Sequence, residues 1–386
     1  MSDETSTDVF TRADGVWSEQ VKLLASDGVG TDHFGADVAL DGDTLVIGAN
    51  GDMDDPGSAY VFSRTGDVWT EQAKLLASDG ADGDYFGASV ALDGDTAIIG
   101  NTRNEHFETE GSAYVYTRTG GVWSEQAKLL AADGADGDAF GGRIELDGDT
   151  AVIGATLDDD NGDDAGSAYV FIRTVGFDPW TEQAKLLASD GEAGDFFGGP
   201  ITLDGDTAII GAVFDDDNGV NSGSAYVFIR SGGVWSQQAK LLASDGEAGD
   251  WFGNGVALNG DTAIIGTQQD DDNGNYSGSA YVFSLVGCSI TVTDDGTGTL
   301  IWFTPESSEF EVVSGLLSEL LADGGFSRTA CLGTFSTSPA VDTLPGPDPG
   351  DARYYLANGP SCMSAGYGDS SVVPDPRDAL DAGPCP

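Results

Sequence analysis

The sequence predicts an all-β protein: a β-propeller of five four-stranded blades over residues 1–285, followed by a small β-sandwich over residues 286–386. Three observations carry that reading. Trp17, Trp69, Trp123, Trp180 and Trp235 each open a copy of one unit, at spacings of 52, 54, 57 and 55 residues. Each copy runs W-[ST]-[EQ]-Q-[AV]-K-L-L-A, an Asp-Gly-rich loop, x-F-G, an apolar stretch ending D-G-D-T or N-G-D-T, a second apolar stretch, an acidic loop and G-S-A-Y-V-[FY]. A repeat of that length built from short strands marks a radial β-architecture, whose units bury their faces against their neighbours. After Val286 the repeat stops, and four cysteines and a proline cluster begin.

The third copy shows the elements in order. Residues 123–131 read as a first strand, 140–146 as a second, 150–154 as a third and 166–171 as a fourth, the last rich in β-branched and aromatic residues. The L-D-G-D-T between the second and third strands sets Asp-Gly between apolar runs. That predicts a type I′ hairpin turn, whose two central residues need positive φ. Proline is nearly absent from these strands, as central sheet positions require. Phe34, Phe86, Phe140, Phe197 and Phe252 precede a glycine in every copy and are expected between blades, the glycine allowing close backbone approach. The repeated Trp is expected on a blade face; an exposed sugar-binding ring is the alternative.

The chain has 386 residues with 57 glycines, as many tight turns require, and a formal net charge of −51. Such a charge argues against nucleic acid and anionic membrane surfaces as partners. It suits cation binding, a high-salt habitat, or both. All five lysines (Lys22, Lys74, Lys128, Lys185, Lys240) share one repeat position. Arg64, Arg118, Arg173 and Arg230 share another, with Arg12 in a partial copy. Each ring either balances the carboxylates of its own blade or forms a ligand-binding feature.

Cys288, Cys331, Cys362 and Cys385 all follow the repeats; an even count in one small module points to two disulfides and an oxidising compartment. Three pairings are open. Their spacing fits no thiolate zinc pattern. No apolar run reaches the roughly 20 residues that span a bilayer. The acidic N-terminus is no signal peptide. Residues 8–17 match residues 59–69, so the chain opens inside the last strand of a preceding unit. Either the start is truncated, with a signal peptide and further blades upstream, or this orphan strand closes the ring against the last blade.

These units resemble FG-GAP repeats, as found in integrin α propellers and in many secreted bacterial proteins. The matching text is F-G-A-S-V-A-L-D-G-D-T-A-I-I-G at residues 86–100 and its four counterparts. The resemblance covers about residues 8–285 and implies a β-propeller with extracellular or cell-surface binding roles. It also implies a D-x-D/N-x-D-G-x-x-D calcium loop between the second and third strands. Here that place holds only the tight D-G turn, so those calcium residues do not transfer.

A different loop is the candidate cation site. Three copies carry D-D-D-N-G between the third and fourth strands, at residues 158–162, 215–219 and 270–274. Clustered carboxylates on a glycine-turned loop offer the oxygens that Ca²⁺ takes, six to eight in flexible geometry. The pattern is not an EF-hand, since no glutamate follows at position twelve. Asp158, Asp160, Asp215, Asp217, Asp270 and Asp272 are the expected ligands; the alternative is an Asx-rich solvated turn. Asp79 and Asp84 of the S-D-G-x-x-G-D-x-F-G loop either cap their turn or complete a shared metal site.

Catalytic signals are weak. His33 and His106 sit at unrelated repeat positions, and the chain has no G-x-S-x-G elbow, no H-E-x-x-H and no phosphate-binding glycine loop. No carboxylate pair is singled out for glycoside chemistry.

In the C-terminal part, residues 299–304, 310–315 and 352–357 read as strands and 316–322 as a short helical turn. V-V-S-G-L-L-S-E-L, C-L-G-T-F, Y-Y-L-A-N-G-P-S-C and Y-G-D-S-S resemble fibronectin type III-like modules of secreted bacterial proteins. That resemblance implies a surface or secretion-linked appendage and identifies no ligand. The expected whole is a secreted or cell-surface, non-catalytic binding or adhesion protein whose propeller loops engage a protein or glycan. Its alternatives are a self-assembling structural component and a polysaccharide hydrolase or lyase.

Overall fold

The structure, a computed structural model, describes residues 6–51, 54–102, 110–174, 179–271 and 274–285, and five strand segments beyond them. The chain divides into two compact units, Met1–Phe283 and Ser284–Pro386.

The first unit opens with a hairpin, β1 (Thr7–Ala13) and β2 (Val16–Leu23). Four four-stranded antiparallel sheets follow in chain order. The first is β3 (Phe34–Asp41), β4 (Thr44–Ala49), β5 (Ser58–Thr65) and β6 (Val68–Leu75). The second is β7 (Val90–Asp93), β8 (Thr96–Asn101), β9 (Ser112–Thr119) and β10 (Val122–Leu129). The third is β11 (Phe140–Asp147), β12 (Thr150–Ala155), β13 (Ser167–Arg173) and β14 (Trp180–Leu186). The fourth is β15 (Phe197–Asp204), β16 (Thr207–Ala212), β17 (Ser224–Ser231) and β18 (Val234–Leu241). A fifth sheet holds three strands, β19 (Phe252–Asn259), β20 (Thr262–Thr267) and β21 (Ser279–Ser284).

This arrangement corrects the phase of the repeat. The Trp strand is not the first strand of its own blade but the fourth strand of the sheet before it, as Trp123 pairing with Arg118 shows. The cause is local. Gly120 and Gly121 both hold positive φ (59° and 83°) and make a two-residue turn that joins β9 to β10. The link from β10 to β11 is a long loop. Among the described residues the fifth sheet has three strands and the other four sheets have four. The D-G turn also differs from expectation. Gly42 stands at positive φ (55°), whereas Asp43 does not, the pattern of a type II′ turn rather than type I′.

The first strands of successive sheets pack on one another in the order β3, β7, β11, β15, β19, while the fourth strands barely touch. The sheets therefore fan out from an inner edge. Apolar faces meet at each junction. Ile98 and Val115 of the second sheet join Phe140, Ile144, Tyr169, Phe171 and Trp180 of the third in one core. Phe140 is fully buried, edge-on to Tyr169 at 5.5 Å between centroids, as the F-G pattern predicts. Glycine is required beside it, because a Cβ at Gly111 would collide with the Phe140 backbone bridged to it. Trp123, Trp180 and Trp235 are buried on sheet faces as expected, whereas Trp17 on the hairpin is 65% exposed.

In the second unit, β22 (Thr293–Asp294) pairs with β23 (Leu300–Ile301). Strands β24 (Phe310–Leu316), β25 (Ala330–Phe335) and β26 (Arg353–Asn358) form a sheet in the order β25-β24-β26. Cys331 falls within β25; Cys288, Cys362 and Cys385, and the rest of the expected sandwich, lie outside the described residues.

Candidate functional site

The D-D-D-N-G loops lie between the second and third strands of their sheets, beside the long loop that leads into the first strand. Backbone bonds stitch those of the third and fourth sheets to the next sheet's entry loop: Phe196 N–H donates to Asp164 O and Phe197 N–H to Ala165 O. Side chains add to this, with Asn161 donating to Ala188 O at 2.8 Å.

The predicted carboxylates do converge, and the chain's own lysine stands among them. Lys185 Nζ lies 2.8 Å from Asp158, 2.5 Å from Asp160 and 3.1 Å from Asp133. Lys240 Nζ lies 2.7 Å from Asp215, 2.5 Å from Asp217 and 3.1 Å from Asp190. Asp158 and Asp215 are each 2% exposed. Asp158 also accepts from Ser167 Oγ at 2.9 Å, Tyr169 Oη at 2.7 Å and the Asp160 N–H at 3.0 Å. Both ammonium groups sit over a tyrosine ring, Lys185 at 5.1 Å from Tyr169 and Lys240 at 5.2 Å from Tyr226.

The electrostatics follow from this enclosure. Burial pushes the Asp158 and Asp215 carboxyls up, but the lysine ammonium and the N–H and O–H donors more than offset it, holding both below the ordinary range. Burial likewise opposes the charge on Lys185 and Lys240, yet the carboxylates raise both lysines above their usual value. Asp195 is pushed up to about 6, chiefly by burial, with the Asp215 and Asp216 charges adding to it and the Glu192 N–H and the Lys240 charge opposing it.

In the third and fourth sheets the lysine ammonium stands where the predicted Ca²⁺ ligands converge. The inner oxygen of Asp158 already accepts three donors, and the ammonium holds the point on which the carboxylates converge. In the fifth sheet Asp270 is buried, and Tyr281 Oη, with one proton to donate, lies 2.7 Å from Asp245 and 3.2 Å from Asp270. Asp272 lies outside the described residues. Asp84 caps its turn by accepting the Ala81 N–H at 2.8 Å, whereas Asp79 receives Lys128 at 2.8 Å and Tyr114 at 2.6 Å.

The arginine ring is structural in a specific way. Arg173 Nε bonds Asp149 at 2.6 Å in its own sheet, and its Nη1 donates to Thr96 Oγ1 of the preceding sheet at 3.1 Å. Its guanidinium also lies 5.4 Å from the Trp180 ring. Arg118 and Arg230 repeat the pattern with Thr44 and Thr150.

A second polar locus was not singled out in the sequence. The inner strands β3, β7 and β11 line a cavity of about 300 Å³ that includes Asp37, Ser89, Arg143 and Glu145. Burial and the Asp37 charge raise Glu145 to about 7. The available signal is a break in the repeat. The position of Glu145 holds alanine in three other copies (Ala39, Ala91, Ala257), and that of Arg143 holds Asp37 and Ser89.

Comparison with protein families gives one result: the FG-GAP repeat model matches residues 17–62, 69–116, 123–171, 180–228 and 235–283, well over half of the chain. The chain belongs to the FG-GAP repeat family. A comparison with curated proteins finds no match. FG-GAP repeats are consistent with an extracellular binding or adhesion propeller. Among the described residues no helix is long and apolar enough to cross a membrane.

Proposed function

We propose that this FG-GAP repeat protein is a non-catalytic binding or adhesion protein, acting outside the cell or at its surface, that engages a protein or glycan through the loops at one end of its sheets. One observation carries the reading. In the described sheets the recurrent charged groups are bonded to one another, while the loops between second and third strands differ from copy to copy. Residues 101–111 share neither length nor composition with residues 155–166. A constant scaffold with variable loops is how rigid sheets present recognition surfaces. In the third and fourth sheets a lysine pairs with the buried loop carboxylate, so the reading is framed without calcium.

The test is binding of the purified chain to immobilised glycans and cell-surface proteins, beside a variant whose residues 102–110 are replaced by the third copy's loop. Saturable binding that the loop exchange abolishes, with unfolding unchanged, supports the proposal. Binding that survives exchange of every such loop would contradict it.

A second reading is favoured by the Asp37–Glu145 cavity alone. A carboxyl raised to about 7 beside a second carboxylate is the pairing that acid–base hydrolysis of polysaccharide uses. Turnover on a glycan panel that both Asp37→Asn and Glu145→Gln remove would establish it in place of the first.

A further inference from the structure

The innermost strand of each sheet opens on F-G and closes on Leu followed by Asp or Asn. Charged residues enter between those ends at two places only. The first reads Asp37, Ser89, Arg143, Pro200 and Gly255 through the five copies, and the second reads Ala39, Ala91, Glu145, Thr202 and Ala257. The fold brings the exceptions together. Asp37 of β3, Ser89 of the second sheet, and Arg143 and Glu145 of β11 line one cavity of about 300 Å³, with Ile144 and Ile201 in its wall.

Local structure aims these groups. Asp37 and Arg143 stand where their strands shift register, between Phe34 and Val38 and between Phe140 and Ile144. A bulge re-aims the side chains it carries. Asp37 is fixed in place, its Oδ1 accepting the Val38 N–H at 2.9 Å and its Oδ2 the Val90 N–H of the second sheet at 2.8 Å. A carboxylate offers about four acceptor sites, so these two donors do not exhaust it. Arg143 Nη1 donates to Gly142 O of its own strand at 2.9 Å, which uses one of several guanidinium N–H groups.

Glu145 sits in this cavity at a cost. Burial and the Asp37 charge both oppose its ionisation. The scaffold does not require that cost, because alanine serves at the same place in the first, second and fifth copies. A carboxyl pair that the sheets can do without, enclosed beside a guanidinium and an aliphatic wall, has the make-up of a small-molecule site.

We propose that this cavity binds a free aliphatic α-amino acid, with its ammonium between Asp37 and Glu145, its carboxylate on Arg143 and its side chain against Ile144 and Ile201. The ammonium offsets the repulsion between the two carboxyls, and the guanidinium supplies paired donors for a carboxylate. A zwitterion carries no net charge, so the −51 of the chain does not repel it, as it would an anion. A simple cation would leave the guanidinium unmet. The volume stands at the small end of ligand pockets, which suits one amino acid and not a glycan chain. The site is distinct from the variable loops of the proposed function, because it lies between first strands.

The test is isothermal titration calorimetry of the full chain with L-leucine, beside isoamylamine and 4-methylpentanoate, which each keep one of its two charged groups. Two variants accompany it, Arg143→Ser and Glu145→Ala. Each installs a residue that another copy carries at the same place, so the strand accepts it, and thermal unfolding checks the fold. Leucine is expected to bind saturably and to raise the unfolding midpoint. The amine and the acid are each expected to bind at least about 10-fold more weakly, and each variant to lose at least about 10-fold in leucine affinity. Absence of leucine binding, amine binding as tight as leucine, or folded variants that bind leucine like the wild type would overturn the proposal. Each of these results leaves the loop-exchange test of the proposed function unaffected.

Discussion

Lys185 and Lys128 occupy one repeat position but meet different surroundings, and the difference sets their energetic weight. Among the described residues Lys128 faces one carboxylate, Asp79, whose side chain is 55% exposed. Lys185 faces Asp158, whose side chain is 3% exposed. Removing the cation from Asp158 leaves a buried charge with hydroxyl and N–H donors alone, a loss that costs about 3 kcal/mol or more. Removing it from Asp79 loses a solvent-screened pair and a ring contact, about 1 kcal/mol. Lys185→Met is therefore expected to lower the denaturation midpoint clearly, and Lys128→Met only slightly, in urea titrations of the two variants. Glu145 gives a second prediction at this scale. Its pKa is raised, so its contribution to stability is fully present below its unfolded value near 4.5 and is lost as pH rises toward about 7. Stability should fall between those values, and Glu145→Gln should remove about 2 kcal/mol of that fall. An unchanged pH profile in the variant would show that Glu145 is not enclosed as described.

At the scale of the elements, the sheets depend on the F-G phenylalanines that bridge junctions. Phe140→Ala is expected to cost about 3–5 kcal/mol, because its cavity opens between two sheets whose backbones are pinned by Gly111. Phe34 packs against the two-stranded hairpin and should cost less, so comparing the two variants in one denaturant series separates a junction from an end. The strands were legible in the sequence, since apolar runs, D-G turns and the recurrent Phe, Trp and Tyr all fell where the sheets have them. Sheet membership was not. A repeat is periodic, so its text looks the same wherever one begins to read, and only the two-residue turn at Gly120 and Gly121 decides which strand pairs with which. The site shows the same limit. The convergence of Asp158 and Asp160 could be read from D-D-D-N-G. Their cation could not, because Lys185 lies 25 residues away from Asp160 and reaches it only through the pairing of β13 with β14.

For the molecule as a whole, 66 acidic residues stand against 15 basic ones, which leaves a net charge of −51 and carboxylate-rich loops. Salt should therefore raise the unfolding midpoint by screening the loops, while the enclosed Lys185 and Lys240 clusters respond little. The tethered ammonium groups of Lys185 and Lys240 stand where a bound cation would otherwise be needed. Thermal unfolding of the full chain at constant ionic strength, with calcium and then with chelator, tests that claim most directly. One midpoint is expected in both conditions, lowered by the Lys185→Met and Lys240→Met pair. A saturable rise of the wild-type midpoint with calcium would contradict it, because a metal would then be supplying charge that the lysines are here held to supply.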